Sequence, residues 1–457
     1  MKKSIILAAG KGTRMKSTYP KVVHKVCGKE MVNHVIDTSK SAGVDETIVI
    51  LGHGIDAVKE VLSDDVKIAI QEEQLGTAHA VMMANDYIDD ADTVVVLCGD
   101  TPLISEETLV EFFKHHDQNN NAVTVLTTKV DDPTGYGRVI RDSSNEFMKI
   151  VEQKDASEQE KSVREINSGI YCFNGAFLKD SLQYVGNNNA QGEYYLPDTI
   201  EIIRNMGGRA DAYLGATIEE LMGVNSRVQL SDAERIMRRR INEQHMINGV
   251  TIIDTDSTYI DAGVDIGADT IILPGCMISG KTVIGSNCVI GPQTGISDST
   301  IGDRTTVKKS EVIKSIVGED TNVGPYAYLR PNSNIGNECK IGDFVEVKNA
   351  SFGDGSKASH LSYIGDAQVG ERVNIGCGVV FVNYDGKNKF KSVVEDDAFI
   401  GSNSNLVAPV VVKKDAFIAT GSTITDDIPA GSLGIARQRQ VIKEGWVQKK
   451  REIDSEK

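Results

Sequence analysis

The sequence predicts an α/β protein in three segments: a Rossmann-like N-terminal domain, a helical linker and a C-terminal parallel β-helix of hexapeptide repeats. Three observations predict it. Short aliphatic runs alternate with helical patterns up to about residue 225, and such alternation builds βαβ units around a parallel sheet. An arginine-bearing helical stretch follows. From Gly249 onward apolar residues recur at every sixth position, a period that belongs to neither a helix nor a simple strand. The expected boundaries are 1–227, 228–248 and 249–457.

In the first segment, residues 4–9 (SIILAA), 47–52 (TIVILG) and 93–97 (TVVVL) read as buried strands. Residues 31–42 and 78–85 read as helices between them. Gly10 and Asp100 each fall just past a strand end, where open α/β sheets bind their ligands. In the linker, Ser231 and Glu234 have the spacing of a capping box. Leu230, Ala233, Met237, Ile241 and Met246 follow roughly helical spacing, and Arg235 and Arg238 to Arg240 lie elsewhere around the helix. In an acidic chain such arginines read as a solvated face rather than a nucleic-acid stripe.

The hexads run in three registers. One holds Ile260, Ile266, Ile272, Ile278, Ile284, Ile290 and Ile296. The second holds Val317, Val323, Leu329, Ile335, Ile341 and Val347, and the third Val394, Ile400, Leu406, Val412, Ile418 and Ile424. After Val347 the next aliphatics in register are Val369 and Ile375, an offset that six does not divide, so extra residues are expected here. Residues 438–457 form a charged tail with the only tryptophan, Trp446.

The net charge of −16 argues against a nucleic-acid partner held by phosphate contacts. Seven scattered cysteines with no CxxC pair fit reduced thiols in a cytoplasmic protein rather than a disulfide framework or zinc site. The N-terminal apolar run is too short for a signal peptide, and no run is long enough to span a membrane.

Two stretches carry chemistry. Leu7-Ala-Ala-Gly-Lys-Gly-Thr-Arg-Met15 places small residues and cations at a strand-to-helix turn, where backbone N–H groups can approach phosphates. It fits neither the Walker pattern nor GxGxxG. Lys21 in Tyr-Pro-Lys-Val, the segment Gln71 to His79 (QEEQLGTAH) and Cys98-Gly-Asp100 accompany it. Together these resemble the sugar-1-phosphate nucleotidyltransferases. The resemblance implies that Leu7, Ala8, Ala9 and Gly10 hold the nucleotide, Lys21 contacts phosphate, and Gln71, Gly76 and Thr77 read uracil. It further implies Arg14 as the transition-state cation, Asp100 and Asn225 as Mg²⁺ ligands, and Gly137, Glu152 and Asn167 as sugar ligands. Each has a structural alternative: Asp100 could cap the helix near Ser105, Glu152 could lie on a surface strand, and Asn225 could cap the linker helix.

The second stretch is the break in the hexads. His360 lies there, with Arg330, Lys348 and Lys357 nearby, a cationic set suited to a phosphate-bearing acceptor. A neutral imidazole suits deprotonation of an amine. This half, and with it nearly the whole chain, resembles the bifunctional uridylyltransferase–acetyltransferase family that makes UDP-N-acetylglucosamine. The resemblance implies a left-handed β-helix and a homotrimer. It implies His360 as general base, with Arg330, Lys348, Tyr363 and Asn374 binding glucosamine 1-phosphate. Asn383 and Tyr384 would help shape that pocket. Cys377, Ser402, Thr420 and Arg437 would line the acetyl-CoA side, with Asn383 and Tyr384 adjoining. UTP, acetyl-CoA and Mg²⁺ are the implied co-substrates and metal. Cys377 and Thr420 depart from residues common in the family, so their backbone rather than their side chains is expected to matter. No base is spaced to activate Cys377 for a covalent route. The competing reading is a single-activity nucleotidyltransferase with a regulatory hexapeptide coil, as in ADP-glucose or GDP-mannose pyrophosphorylases. A non-enzymatic nucleotide-sugar scaffold is a third.

Overall fold

The computed structural model describes residues 1–455. These divide between two compact units, with the division falling between Arg240 and Ile241.

The first unit is built on a sheet whose main path runs Ala210–Leu214, Val123–Lys129, Glu165–Asn174, Thr93–Cys98, Lys2–Leu7, Glu46–Leu51 and Lys67–Ile70. The central strand Lys2–Leu7 pairs in parallel with Glu46–Leu51 on one side and Thr93–Cys98 on the other. From it the chain crosses first to one side, through Glu46–Leu51 and Lys67–Ile70, and then to the other at Thr93–Cys98, so a crevice opens at its carboxyl end. Along this path the all-parallel expectation fails at one strand, and the off-path pair Arg138–Arg141 and Phe147–Val151 is antiparallel as well. Glu165–Asn174 runs antiparallel to both neighbours and breaks register between Asn167 and Tyr171. Ile5, Ile48, Val94 and Val96 fill one face of this sheet and Ile6, Val49, Val95 and Leu97 the other. That double burial explains why the strands read as continuous apolar runs.

One helix, Arg227–Ile247, crosses the division. It begins before the expected capping box. Ser226 is the residue whose hydroxyl accepts a bond from a first-turn amide, that of Gln229 at 3.3 Å, so Ser231 lies inside the helix. Glu234 instead reaches sideways, accepting from the Cys27 amide at 2.7 Å. Within the second unit, Asn242 donates to the carbonyls of Thr255 and Thr258 at 3.1 and 3.2 Å.

The second unit is a parallel β-helix. Its short strands belong in rotation to three parallel sheets of eleven, ten and nine strands among the described residues. The buried aliphatics stack down the axis, so one coil's Ile335 sits on the next coil's Phe352 and then on Val369. This stack corrects the expectation of inserted residues after Val347. The core positions run Val347, Phe352, Ala358, Ile364 and Val369, and all are buried. The first and last steps are five residues long, so the chain is shortened there rather than lengthened. The coil remains unbroken, and its core positions are occupied by Phe and Ala, which an aliphatic pattern does not register. The real insertion comes later. Phe381 and Leu406 are register partners, and between them a loop leaves the coil through Asn383 and returns at Lys391. An isolated bridge between Tyr384 and Lys389 and a bond from the Phe390 amide to the Asn383 carbonyl at 2.9 Å close it as a hairpin. The tail forms an exposed helix, Trp446–Ser455; the last two tail residues lie outside the described residues.

Candidate active sites

At the carboxyl end of Lys2–Leu7, the chain turns through Ala8 and Ala9, which hydrogen-bond across to the neighbouring strand's exit. The Ala8 amide donates to the Ile50 carbonyl at 3.0 Å, and the Ala9 carbonyl accepts from His53 at 3.2 Å. Gly10 is exposed, and Arg14 is exposed in the short turn Thr13–Met15. The buried Met15 side chain anchors that turn.

Beside the loop, Lys21 Nζ bonds the Asp100 carboxylate and, at 2.9 Å, the Asn225 Oδ1. Three residues far apart in sequence thus converge on one point. The structural alternatives for two of them fall away. Ser105 caps its own helix by accepting from the Thr108 amide at 3.2 Å, and Ser226, not Asn225, caps Arg227–Ile247. Among the described residues no group of three or more His, Cys, Asp and Glu side chains is arranged to hold a metal. Asp100 and Asn225 supply one carboxylate and one amide oxygen, both hard donors. Such a partial set suits Mg²⁺, which keeps waters and takes substrate phosphates as its remaining ligands.

Gln71, only 3 % exposed, donates from Nε2 to the Gly76 carbonyl at 3.1 Å and contacts His79 Nδ1 at 3.0 Å. Gly76 has φ 120°, and a Cβ there would come within 2.5 Å of the Tyr194 carbonyl oxygen, so only glycine fits. Thr77 then opens a helix and accepts from the Leu196 amide at 3.0 Å.

A cavity of about 310 Å³ gathers Leu7, Thr77, Gly137, Glu152 and Asn167 from five separate segments. Asn167 Oδ1 is occupied by the Gly169 amide and the Tyr171 hydroxyl, at 3.0 and 2.9 Å. A Cβ on Gly137 would meet Glu152 Oε1 at 2.9 Å, so this glycine makes room for the carboxylate. Burial holds the Glu152 carboxyl above its ordinary range, against the opposing bond to Asn167. Burial likewise pushes the Cys98 thiol up to about 12, with Asp100 adding to it, so Cys98 is a neutral wall of the cavity. Tyr136, Gln191, Glu193 and Tyr195 also line it. Gln191, Glu193 and Tyr195 sit in a segment that carried no site assignment, and Tyr136 adjoins Gly137, but sequence reading named none of the four.

In the β-helix the candidate residues sort into two groups. The first is a column at one corner. Asp343 and His360 are register partners on successive coils. Ala358, Ile375, Ile400 and Ile418 are successive core partners, so Cys377, Ser402 and Thr420, each two residues further on, continue the column from His360. Adjacent coils lie about 4.8 Å apart. His360 Nδ1 is 2.6 Å from Asp343 Oδ1, and this bond holds the Asp343 carboxyl below its usual value. Asn374 lies half-buried one position before Ile375, and Arg437 is exposed just beyond the last coil.

The second group surrounds the hairpin loop. Arg330 donates to Glu346 at 2.8 Å, and its guanidinium lies 5.9 Å from the Tyr328 ring centre. Core pairing of Leu329 with Val347 puts Arg330 and Lys348 on successive coils. Asn383, 7 % exposed, donates to Asp366 at 2.5 Å and more weakly to the Tyr363 hydroxyl at 3.4 Å. Lys389, which sequence reading missed, faces Lys348 closely enough that the neighbouring ammonium holds its pKa below the ordinary lysine value. The Asp366 carboxylate lies close enough to feel both lysines, and they help hold it below its usual value. Tyr384 is exposed, its hydroxyl bonding within the loop to Gly386 at 2.6 Å.

Comparison with known proteins agrees with both halves. Residues 3–217 match the nucleotidyl transferase family, residues 256–330 the GMPPB C-terminal domain, and residues 314–349 the bacterial transferase hexapeptide (six repeats) family. Whole-length relatives separate the readings that a coil alone leaves open. The chain is 68 % identical over 454 residues to the Bifunctional protein GlmU of Clostridioides difficile (strain 630), covering 99 % of each chain. It is 59 % identical over 448 residues to that of Alkaliphilus oremlandii (strain OhILAs), and 58 % over 447 residues to that of Caldanaerobacter subterraneus subsp. tengcongensis, each covering 98 % of both chains. With both halves matched end to end at this identity, the chain belongs to the bifunctional GlmU family.

Proposed function

We propose a residue-level division of labour for the two transferase activities of this bifunctional chain. The chain acetylates glucosamine 1-phosphate from acetyl-CoA and then transfers uridylyl from UTP to N-acetylglucosamine 1-phosphate, releasing pyrophosphate. Residues 249–457 perform the first step and residues 1–227 the second, with 228–248 as the connecting helix.

In acetyl transfer, His360 takes the proton of the attacking amine. Arg330, Lys348 and Tyr363 hold the sugar phosphate, with Asn374 and Asn383 completing the pocket. Cys377, Ser402, Thr420 and Arg437 bind acetyl-CoA along the corner column, and Tyr384 adjoins from the loop. The observation that carries this reading is the pairing of an exposed imidazole with a separate cluster of cations, since the acceptor needs both a base and an anion site.

In uridylyl transfer, Leu7 to Gly10 approach the triphosphate with backbone groups, and Gln71, Gly76 and Thr77 read the base. Gly137, Glu152 and Asn167 hold the sugar. Lys21 and Arg14 neutralise phosphate charge as the leaving pyrophosphate forms. Asp100 and Asn225 would hold Mg²⁺, which when bound polarises the phosphoryl oxygens.

None of the seven cysteines is joined in a disulfide among the described residues, which supports a reducing, cytoplasmic setting. No helix among the described residues is long and apolar enough to cross a membrane. Exposed Tyr326, Phe344 and Leu361 form an apolar ridge on successive coils and support self-association as a homotrimer. Two assays on one preparation test the assignment: CoA release with glucosamine 1-phosphate, and Mg²⁺-dependent pyrophosphate release from UTP with N-acetylglucosamine 1-phosphate. Both rates are expected, and a folded chain lacking either one would overturn the corresponding half.

A further inference from the structure

We propose that Asp343 is a positioning residue for acetyl transfer, fixing the His360 imidazole in the tautomer whose Nε2 lone pair faces outward to accept a proton. The proposal rests on the reading of His360 as the base.

Asp343 ends the strand Lys340–Asp343, and His360 ends Lys357–His360 one coil later. The two residues are register partners, so the β-helix itself delivers one side chain above the other. The contact is short, 2.6 Å from Oδ1 to Nδ1. A carboxylate can only accept, and Asp343 is held in its ionised form by this bond, with the Lys340 charge adding to it. Nδ1 therefore carries the proton, and a neutral ring keeps its lone pair on Nε2. Glu346, three residues after Asp343, is engaged elsewhere, because it accepts from Arg330 at 2.8 Å. The division is chemically economical: Glu346 orients the cation that faces the phosphate, and Asp343 orients the base.

The proton account is complete without ionisation changes at Asp343. The amine nitrogen forms a bond to the thioester carbon, and its proton passes to His360 Nε2. The carbon–sulfur bond breaks, and the sulfur of CoA leaves as thiolate and takes that proton from the imidazolium. During the step Asp343 stabilises the imidazolium through the bond it already makes. Because both side chains are partly exposed, at 55 % and 37 %, water screens the pair. The effect is expected to be about 10- to 100-fold, at or below the lower end of the roughly 10²- to 10⁴-fold that a positioned base itself contributes.

The test uses the full-length chain with Asp343→Ala, Asp343→Asn and His360→Gln. For Asp343→Ala, kcat for acetyl transfer should fall about 10- to 100-fold, with KM for both acetyl-transfer substrates within about twofold. Pyrophosphate release in the same preparation should be unchanged. Asp343→Asn keeps an acceptor and should lose less. ¹⁵N-histidine spectra, with the His360 signal assigned by its absence in His360→Gln, should show a protonated Nδ1 in the parent chain. Asp343→Ala should shift the ring to the Nε2–H form. A wild-type kcat in Asp343→Ala, or an Nε2–H ring in the parent, overturns the role of Asp343 while leaving His360 as base if His360→Gln is inactive. Retention of acetyl transfer in His360→Gln overturns the base assignment, and the positioning role with it.

Discussion

The two candidate sites are built by opposite means. In the first unit, functional side chains stand on loops beyond strand ends and come from positions as distant as Lys21, Asp100 and Asn225. They are largely shielded and already paired with one another. In the second unit, they repeat at a fixed offset from core residues, stacked along corners and largely exposed. One site is assembled by topology and the other by periodicity. The difference teaches where each is fragile. A site assembled by topology depends on backbone placement at several junctions. A site assembled by periodicity depends on single side chains over a scaffold that tolerates their loss.

The sharpest way to break the comparison is to remove one residue from each site. His360 is exposed, so His360→Ala should fold normally. It should lose acetyl transfer by about 10³-fold, within the range for a general base, and keep uridylyl transfer. Asp100→Ala should do the converse, reducing pyrophosphate release about 100-fold and raising the Mg²⁺ concentration needed, because one of two oxygen donors is gone. Parallel rates on the same preparations check both. A variant that depresses both activities in a folded chain would show that the sites are not separable.

A smaller effect tests the dependence on backbone. Gly76→Ala puts a methyl group against the Tyr194 backbone at a φ that alanine avoids. The segment should shift rather than the unit unfold. KM for UTP is expected to rise about tenfold, reflecting a site displaced by a fraction of an ångström. Acetyl transfer should not change. The analogous change in the β-helix, at the exposed Tyr384, should leave folding untouched.

The difference in construction also decides what could be read from the chain. The aliphatic hexads identified the β-helix because every coil repeats the same demand for buried branched side chains. The pattern misled after Val347, where Phe352 and Ala358 fill core positions and two coil edges are one residue short. The Phe381–Leu406 insertion passed unremarked because its loop is polar, although Asn383 and Tyr384 within it drew notice. Asp343 was missed because an acidic residue at a turn looks solvated, and only the register puts it beside His360. In the first unit the glycine loop was legible. Tyr195 was not, since nothing in its local sequence says that a cavity forms around it, and of the adjoining Tyr136 and Gly137 only the glycine was read.

The least perturbing test is acid, because it loads the two units unequally. His116 is 3 % exposed in the first unit, and burial pushes its ring down to about 4. Its Nδ1 meets the Thr124 hydroxyl at 2.8 Å, a partner that does not require a charged ring. The sign follows from linkage. Above pH 6.5 both folded and unfolded rings are neutral, and His116 contributes nothing to pH dependence. Below it the unfolded chain takes up the proton that the folded unit refuses, so stability falls until about pH 4 and then levels. The loss across that window is on the order of 3 kcal/mol. Calorimetry of the full chain between pH 7 and 4 should show the unfolding of the first unit moving to lower temperature. In His116→Gln, which keeps a polar side chain but cannot titrate, that drift should flatten even if the neutral-pH midpoint is lower. An equal drift in parent and variant would assign the acid sensitivity to other groups, such as His34, whose ring burial also holds below its ordinary value.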